Sequence, residues 1–210
     1  MTYGQEKVLH LASRYMAQSY AILNRTRLTD NDVTIISNNC WGGNFERHMG
    51  RGYSSPFVNL FIYADCYLKI ISSIEKYVNC SPLVDRASRY RGGTLSYPII
   101  HLIDVELHCI HYVDDDVALA NWLRRAQRMK MCNMFFVFSM RDGATSRHAE
   151  IFLSSAEPNR LMFSYESSAD PRQVRLRYGS SRGQVGPADI IAGPSYWNSN
   201  IVSRLNSCFG

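Results

Sequence analysis

Val33-Thr34-Ile35-Ile36, running into Ser37-Asn38-Asn39-Cys40-Trp41-Gly42-Gly43, is the stretch from which the fold can be read. Its first four residues are a short β-branched run of the kind found in strands buried on both faces. The next seven form a polar loop that ends in two glycines. A strand feeding such a loop is a unit of an open α/β sheet, and such sheets bind ligands outside the carboxyl ends of their strands. Two further buried-strand runs follow, Met134–Phe138 and Leu161–Tyr165, and the first of them also runs into a polar loop, Ser139–Gly143.

Between these runs the apolar spacing turns helical. Residues 5–23 carry Val8, Leu11, Ala12, Tyr15, Met16, Ile22 and Leu23 at helical spacing with one gap at Ser19, predicting an N-terminal helix within residues 1–28. Ser54-Ser55-Pro56 has a helix-start signature, predicting a helix to about Tyr77. Residues 81–95, basic and glycine-containing, read as a loop. Tyr97 to Val113 reads as extended, with Val105, Leu107 and Cys109 alternating against Asp104, Glu106 and His108. Asp114-Asp115-Asp116 caps a helix to about Met129, and Thr145 opens a short one. Residues 170–194 are an irregular Arg-, Gly- and Pro-rich excursion, and Ser195–Cys208 a final short helix. Alternating strands and helices predict one α/β domain over residues 1–210, its sheet largely parallel or mixed.

A hydrophobic fraction of 46% and a charged fraction of 20% suit a globular core rather than a disordered chain. The net charge of +5, mostly arginine, favours an anionic partner such as a nucleotide, a phosphorylated sugar or the inner membrane surface, unless it is only a solvated face. No basic run with interleaved aromatics points to nucleic acid. Six cysteines without a Cys-x-x-Cys pair argue against structural zinc, and no metal site is expected. No stretch resembles a signal peptide or a membrane span, so reduced thiols in a cytoplasmic protein are expected, with peripheral membrane contact left open.

Three constellations could carry chemistry. In the first loop, Ser37 and Cys40 are candidate nucleophiles, and Asn38, Asn39, Trp41, Gly42 and Gly43 are candidate substrate or oxyanion ligands. The same residues also suit a tight turn with Trp41 in the core. In the second, period-two spacing puts Asp104, Glu106 and His108 on one strand face, a carboxylate-oriented base or a set of metal-type ligands, or else a solvent face. That parity sends His111 to the opposite, core side with Cys109. In the third, Arg141-Asp142-Gly143 could grip phosphate or carboxylate, or be an ordinary Asp-Gly turn.

These residues are similar to those of a bacterial family of unassigned activity, often labelled exopolysaccharide biosynthesis protein. The resemblance runs through Ser37 to Gly43, Tyr53-Ser54-Ser55-Pro56, Tyr97-Pro98, and Asp104, His108, His111 and Tyr112. It continues through Trp122 with Arg125, Arg141-Asp142-Gly143, and Gly183-Gln184-Val185-Gly186, covering residue 33 to the end. Ile103 stands where the family has Gly, and Ala144 where it has Cys. The resemblance implies a three-layer α/β sandwich and a role in capsule or surface polysaccharide. It adds Tyr53, His111, Arg125 and Gln184 as candidate substrate-binding positions, beside Glu106, Arg141 and Asp142 from the constellations above.

Three functions follow as expectations. The first is acyl transfer to a polysaccharide precursor or sugar-phosphate. Cys40 or Ser37 is then the nucleophile, His108 the base with Asp104 behind it, and Arg141 the phosphate grip. Acyl-coenzyme A or a sugar nucleotide are the donors to consider. The second is glycosyl or sugar-phosphate transfer through Asp104, Glu106 and Asp142. The third is a non-catalytic sugar- or nucleotide-binding module. Cys40 or Ser37 within hydrogen-bond reach of His108 favours the first.

Overall fold

The computed structural model describes residues 19, 22, 24–28, 32–176 and 200–209. Most of the N-terminal segment, Gln184 and the greater part of the Arg/Gly/Pro-rich stretch lie outside the described residues. The elements are β1 (Thr34–Ser37), α1 (Trp41–His48), α2 (Ala64–Ser72), α3 (Ile74–Val78), β2 (Leu83–Ser88), β3 (Arg91–Leu102) and β4 (Val105–His108). They continue with α4 (Asp115–Ala126), β5 (Met134–Ser139), α5 (Ser146–Ser154), β6 (Arg160–Ser164), β7 (Gln173–Arg175) and α6 (Ile201–Phe209).

The three buried runs are neighbours, as the sequence predicts. Their sheet has the order β1-β5-β6-β7 and every pairing in it is parallel. Both faces are covered, which is why the runs are apolar without alternation. Ile36, Phe136, Phe138 and Met162 pack toward α2 and α5, whereas Ile35, Phe135, Val137, Leu161 and Phe163 pack toward α1 and α6. The result is the three-layer α/β arrangement, with a separate antiparallel sheet, β2-β3-β4, beside it. At β1, the Ile35 N–H donates to Ser54 Oγ (3.2 Å) and a terminal nitrogen of Arg51 donates to the Val33 carbonyl (2.6 Å). Residues 51–54 thus supply hydrogen-bond partners to a strand that pairs on one side only.

Two sequence expectations are corrected here. Pro56 starts a turn, not a helix, and α2 begins only at Ala64. The intervening residues are drawn into strand pairing: the Phe61 N–H donates to the His108 carbonyl (3.0 Å), and the His108 N–H donates back (2.9 Å). The Ile62 N–H also donates to the Asn38 carbonyl (3.0 Å), tying the end of β1 to the end of β4. Residues 81–95 are not a loop but much of the β2–β3 hairpin, and over these residues its strands are polar, exposed or half-exposed, and carry no apolar stripe. The Asp114 carboxylate accepts the Val117 N–H (2.9 Å), capping α4 as predicted.

Candidate functional site

The parallel register decides where the loops emerge. β1 and β5 run side by side, so the loops after Ser37 and Ser139 leave at the same edge. Asn38 locks them together: its Nδ2 donates to the Ser139 carbonyl (3.0 Å) and its Oδ1 accepts the Ser139 N–H (2.9 Å). Asn38 is fully buried and is a clamp between strands, not a substrate ligand.

Beyond it the chain turns at once into α1. Asn39 Oδ1 accepts the Trp41 N–H (2.9 Å), and Ser37 Oγ accepts the Gly42 N–H (3.1 Å) while donating to the Asn39 carbonyl (2.6 Å). These bonds correct two expectations. Ser37 is a buried helix-start residue rather than a nucleophile. The Gly42 N–H is already spent and cannot serve an oxyanion. The glycines answer a packing need: a Cβ on Gly42 would sit 2.8 Å from Ser37 Oγ, and one on Gly43 would sit 2.5 Å from Asn59 Oδ1. Trp41, read as a substrate contact, is wholly buried between Phe45 and Phe163.

Cys40 is left at the N-cap of α1, half-buried. Its Sγ lies 3.1 Å from His111 Nε2. The imidazole beside the thiol is therefore His111 and not His108. β4 ends at His108, and the Tyr112 N–H donates to the Cys109 carbonyl (2.8 Å), so the chain turns before His111 and delivers it, exposed, to the cleft. The alternation that assigned His111 to the core holds only while the strand continues.

His108 is fully buried among Phe61, Tyr63 and Tyr97. Its Nδ1 is 3.3 Å from Tyr97 Oη, and its Nε2 is 3.3 Å from Glu106 Oε2 at an angle that makes no hydrogen bond. Glu106 is occupied by the Ser88 hydroxyl (2.7 Å) and the Arg89 N–H (2.9 Å), so it pins the tip of the hairpin. Asp104 does not join them. It lies in the β3–β4 turn, ion-paired with Lys69 (2.7 Å) and accepting from Tyr77 Oη (2.8 Å), both of which hold its carboxyl below the usual range. The three residues are thus neither a polar face nor a ligand set.

Burial pushes the His108 imidazole down to about 4, against the pull of Glu106 and with Arg91 and His101 assisting. An imidazole protonates near 6.5 in an unfolded chain, so between about 6.5 and about 4 the unfolded state binds a proton that the folded state refuses. Stability is therefore expected to fall on acidification through that window, by on the order of 2 kcal/mol. Urea unfolding at pH 7 and pH 4.5 checks this; a loss undiminished in His108→Gln would contradict it.

The cleft around Cys40 and His111 has a volume of about 710 Å³. Asn39, Asn44, Asn59, Phe61, Tyr97 and Ile110 line it, together with Arg47, Arg91, Arg141 and Asp142. Arg141 Nε donates to the Asp142 carboxylate, and Asp142 and Gly143 take left-handed backbone (φ 56° and 81°) to make the turn. Burial raises the Asp142 carboxyl, with Arg141 opposing. Burial also pushes the Cys40 thiol up, again against Arg141, so the resting group is a thiol. Asn39 is only 3% exposed, and its Nδ2 has no hydrogen-bond partner among the described residues.

Tyr53 and Arg125 lie elsewhere: the Arg125 guanidinium sits 5.2 Å from the Tyr53 ring centre and donates to the Val58 carbonyl (3.3 Å), and neither lines the cleft. The arrangement thus joins Asn39, Cys40, His111, Arg141 and Asp142. It adds Arg47, Arg91 and Asn59, which no sequence motif marked. Among the described residues no helix is long and apolar enough to cross a membrane.

The family model for a domain of unknown function, DUF1919, matches residues 11–172 and so takes in every residue of this cleft. The chain belongs to the DUF1919 family. It is also 31% identical over 180 residues to an uncharacterized protein of Haemophilus influenzae, an alignment covering 84% of this chain and 83% of the relative.

Proposed function

We propose that this DUF1919 protein is a cysteine-dependent acyltransferase acting on a precursor of surface polysaccharide. The observation that carries the reading is the 3.1 Å approach of Cys40 Sγ to His111 Nε2 inside an arginine-lined cleft. A thiol within hydrogen-bond reach of an imidazole is the nucleophile–base pair of covalent acyl transfer. The polysaccharide acceptor comes from the resemblance described above.

The chemistry runs in two half-reactions. His111, with its proton on Nδ1, accepts the thiol proton at Nε2 as Cys40 Sγ attacks the acyl carbonyl of a thioester or ester donor. Asn39 Nδ2, a buried donor with no partner among the described residues, stabilises the oxyanion that forms. The carbon–leaving group bond breaks, the leaving thiol or alcohol takes the proton from His111, and the acyl group stays on Cys40. A sugar hydroxyl then attacks the thioester, gives its proton to His111, and leaves as the ester while the thiol is restored. A thiol at rest suits this sequence, because the proton moves during attack rather than before it.

Glycosyl or sugar-phosphate transfer has less support, since Asp104 and Glu106 are engaged in structural contacts away from the cleft. Intact-mass spectrometry after incubation with acetyl-coenzyme A and with acyl-pantetheine donors tests the reading. A covalent acyl adduct, discharged by added sugar acceptors, is expected. A protein that binds these donors without ever forming an adduct would be the binding module instead.

A further inference from the structure

The cleft holds more positive charge than acyl transfer calls for. Three guanidinium groups, of Arg47, Arg91 and Arg141, face one carboxylate, Asp142, an excess of two positive charges. Two of the three are held in the same way. Arg91 donates from Nε to Tyr63 Oη (3.0 Å), with its guanidinium 5.6 Å from the Phe61 ring centre. Arg141 donates from Nε to Asp142. Each is tethered by the nitrogen nearest its stem. The terminal nitrogens, whose fork matches two oxygens of one anion, make no hydrogen bond among the described residues. Arg47 differs: a terminal nitrogen is already on Asn44 Oδ1 (2.9 Å). A fork fixed at its base loses less freedom on gripping a ligand than a free side chain does.

We infer that the substrate carries a dianionic phosphate or diphosphate, gripped by Arg91 from the β2–β3 hairpin and Arg141 from the loop after β5. A single carboxylate would leave one of the two forks unanswered. A phosphate monoester brings nearly two charges at neutral pH and three acceptor oxygens. The hairpin thereby becomes a specificity element, its tip pinned by Glu106 and its arginine reaching the cleft. The inference rests on the transferase reading only for which substrate atom lies at Cys40.

Calorimetric titration with inorganic phosphate, pyrophosphate, a hexose 1-phosphate and a nucleoside diphosphate sugar tests it, with malonate as the dicarboxylate control. At least one phosphate probe is expected to bind wild-type and Cys40→Ala protein alike. Binding should weaken tenfold or more in Arg91→Gln, whose residue is exposed and whose fold is checked by its melting temperature. Arg141→Lys, which keeps the charge but loses the fork, should weaken it as well. Tighter binding of the hexose phosphate or of the nucleotide sugar identifies the source, and either supports the subsite. No binding by any phosphate probe, equal binding by Arg91→Gln, or malonate as tight as pyrophosphate would overturn it. Phosphate binding without acylation keeps the subsite and removes the transferase; acylation without phosphate binding does the reverse.

Discussion

Cys40→Ala is expected to abolish acyl-enzyme formation while leaving the melting temperature close to that of wild type. The side chain is half-buried and its hydrogen-bond partner among the described residues is the exposed His111, so its loss leaves no large cavity and no buried polar group unpaired. His111→Ala should form the same adduct about 10²–10⁴-fold more slowly, the usual worth of a positioned base. His108→Gln should leave the adduct rate near wild type, because His108 is walled off by Phe61, Tyr63 and Tyr97. The comparison of the two histidine variants is the discriminating part. Quenched-flow mass spectrometry measures both rates. A His108 variant that loses the adduct while the His111 variant keeps it would reverse the assignment.

Trp41→Ala should cost about 3–5 kcal/mol, the range for removing a large buried aromatic. The indole is wholly enclosed, 5.2 Å from Phe45 and 5.5 Å from Phe163 between ring centres, at the junction of α1 with the parallel sheet. In a chain of this size that corresponds to a fall of roughly 10 °C in melting temperature. Scanning calorimetry reads it directly. An unaltered melting temperature would mean that the indole belongs to the cleft and not to the core.

The fold was legible where burial dictates composition. β1, β5 and β6 are apolar because both faces of the sheet are covered, and their runs stand out against polar loops. Residues 83–95 of the β2–β3 hairpin were not legible, since their exposed and half-exposed positions leave Arg86, Arg89 and Gly92 where a loop would also place them, whereas the part of β3 from Tyr97 read as extended. Its pairing is set by partners distant in sequence, such as Glu106 reaching the Ser88 hydroxyl. The Ser54-Ser55-Pro56 signature misled for a similar reason. Local propensity favours a helix after Pro56, but the backbone groups of Phe61 and Ile62 pair instead with His108 and Asn38.

The site was legible at one remove. Two strands with polar loops at their carboxyl ends place Cys40 and Arg141 at one edge if the strands are parallel, and they are. The choice between His108 and His111 was beyond reach because it turns on where β4 stops, and no glycine or proline marks that end. The residues that Ser37, Asn38 and Gly42 support could not be told from the residues they resemble chemically. A hydroxyl that caps a helix and one that attacks a carbonyl are the same group in a sequence; only the bonds to the Gly42 N–H and the Asn39 carbonyl separate them.

The most direct measurement is peptide mapping of the protein after brief exposure to an acyl-thioester donor at neutral pH, with exposed Cys132 as the internal reference. The expected result is acylation concentrated on Cys40 despite its partial burial, exceeding that of Cys132, and lost from Cys40 in His111→Ala. Acylation that follows exposure alone, with Cys132 foremost and Cys40 unmodified or indifferent to His111, would contradict the account.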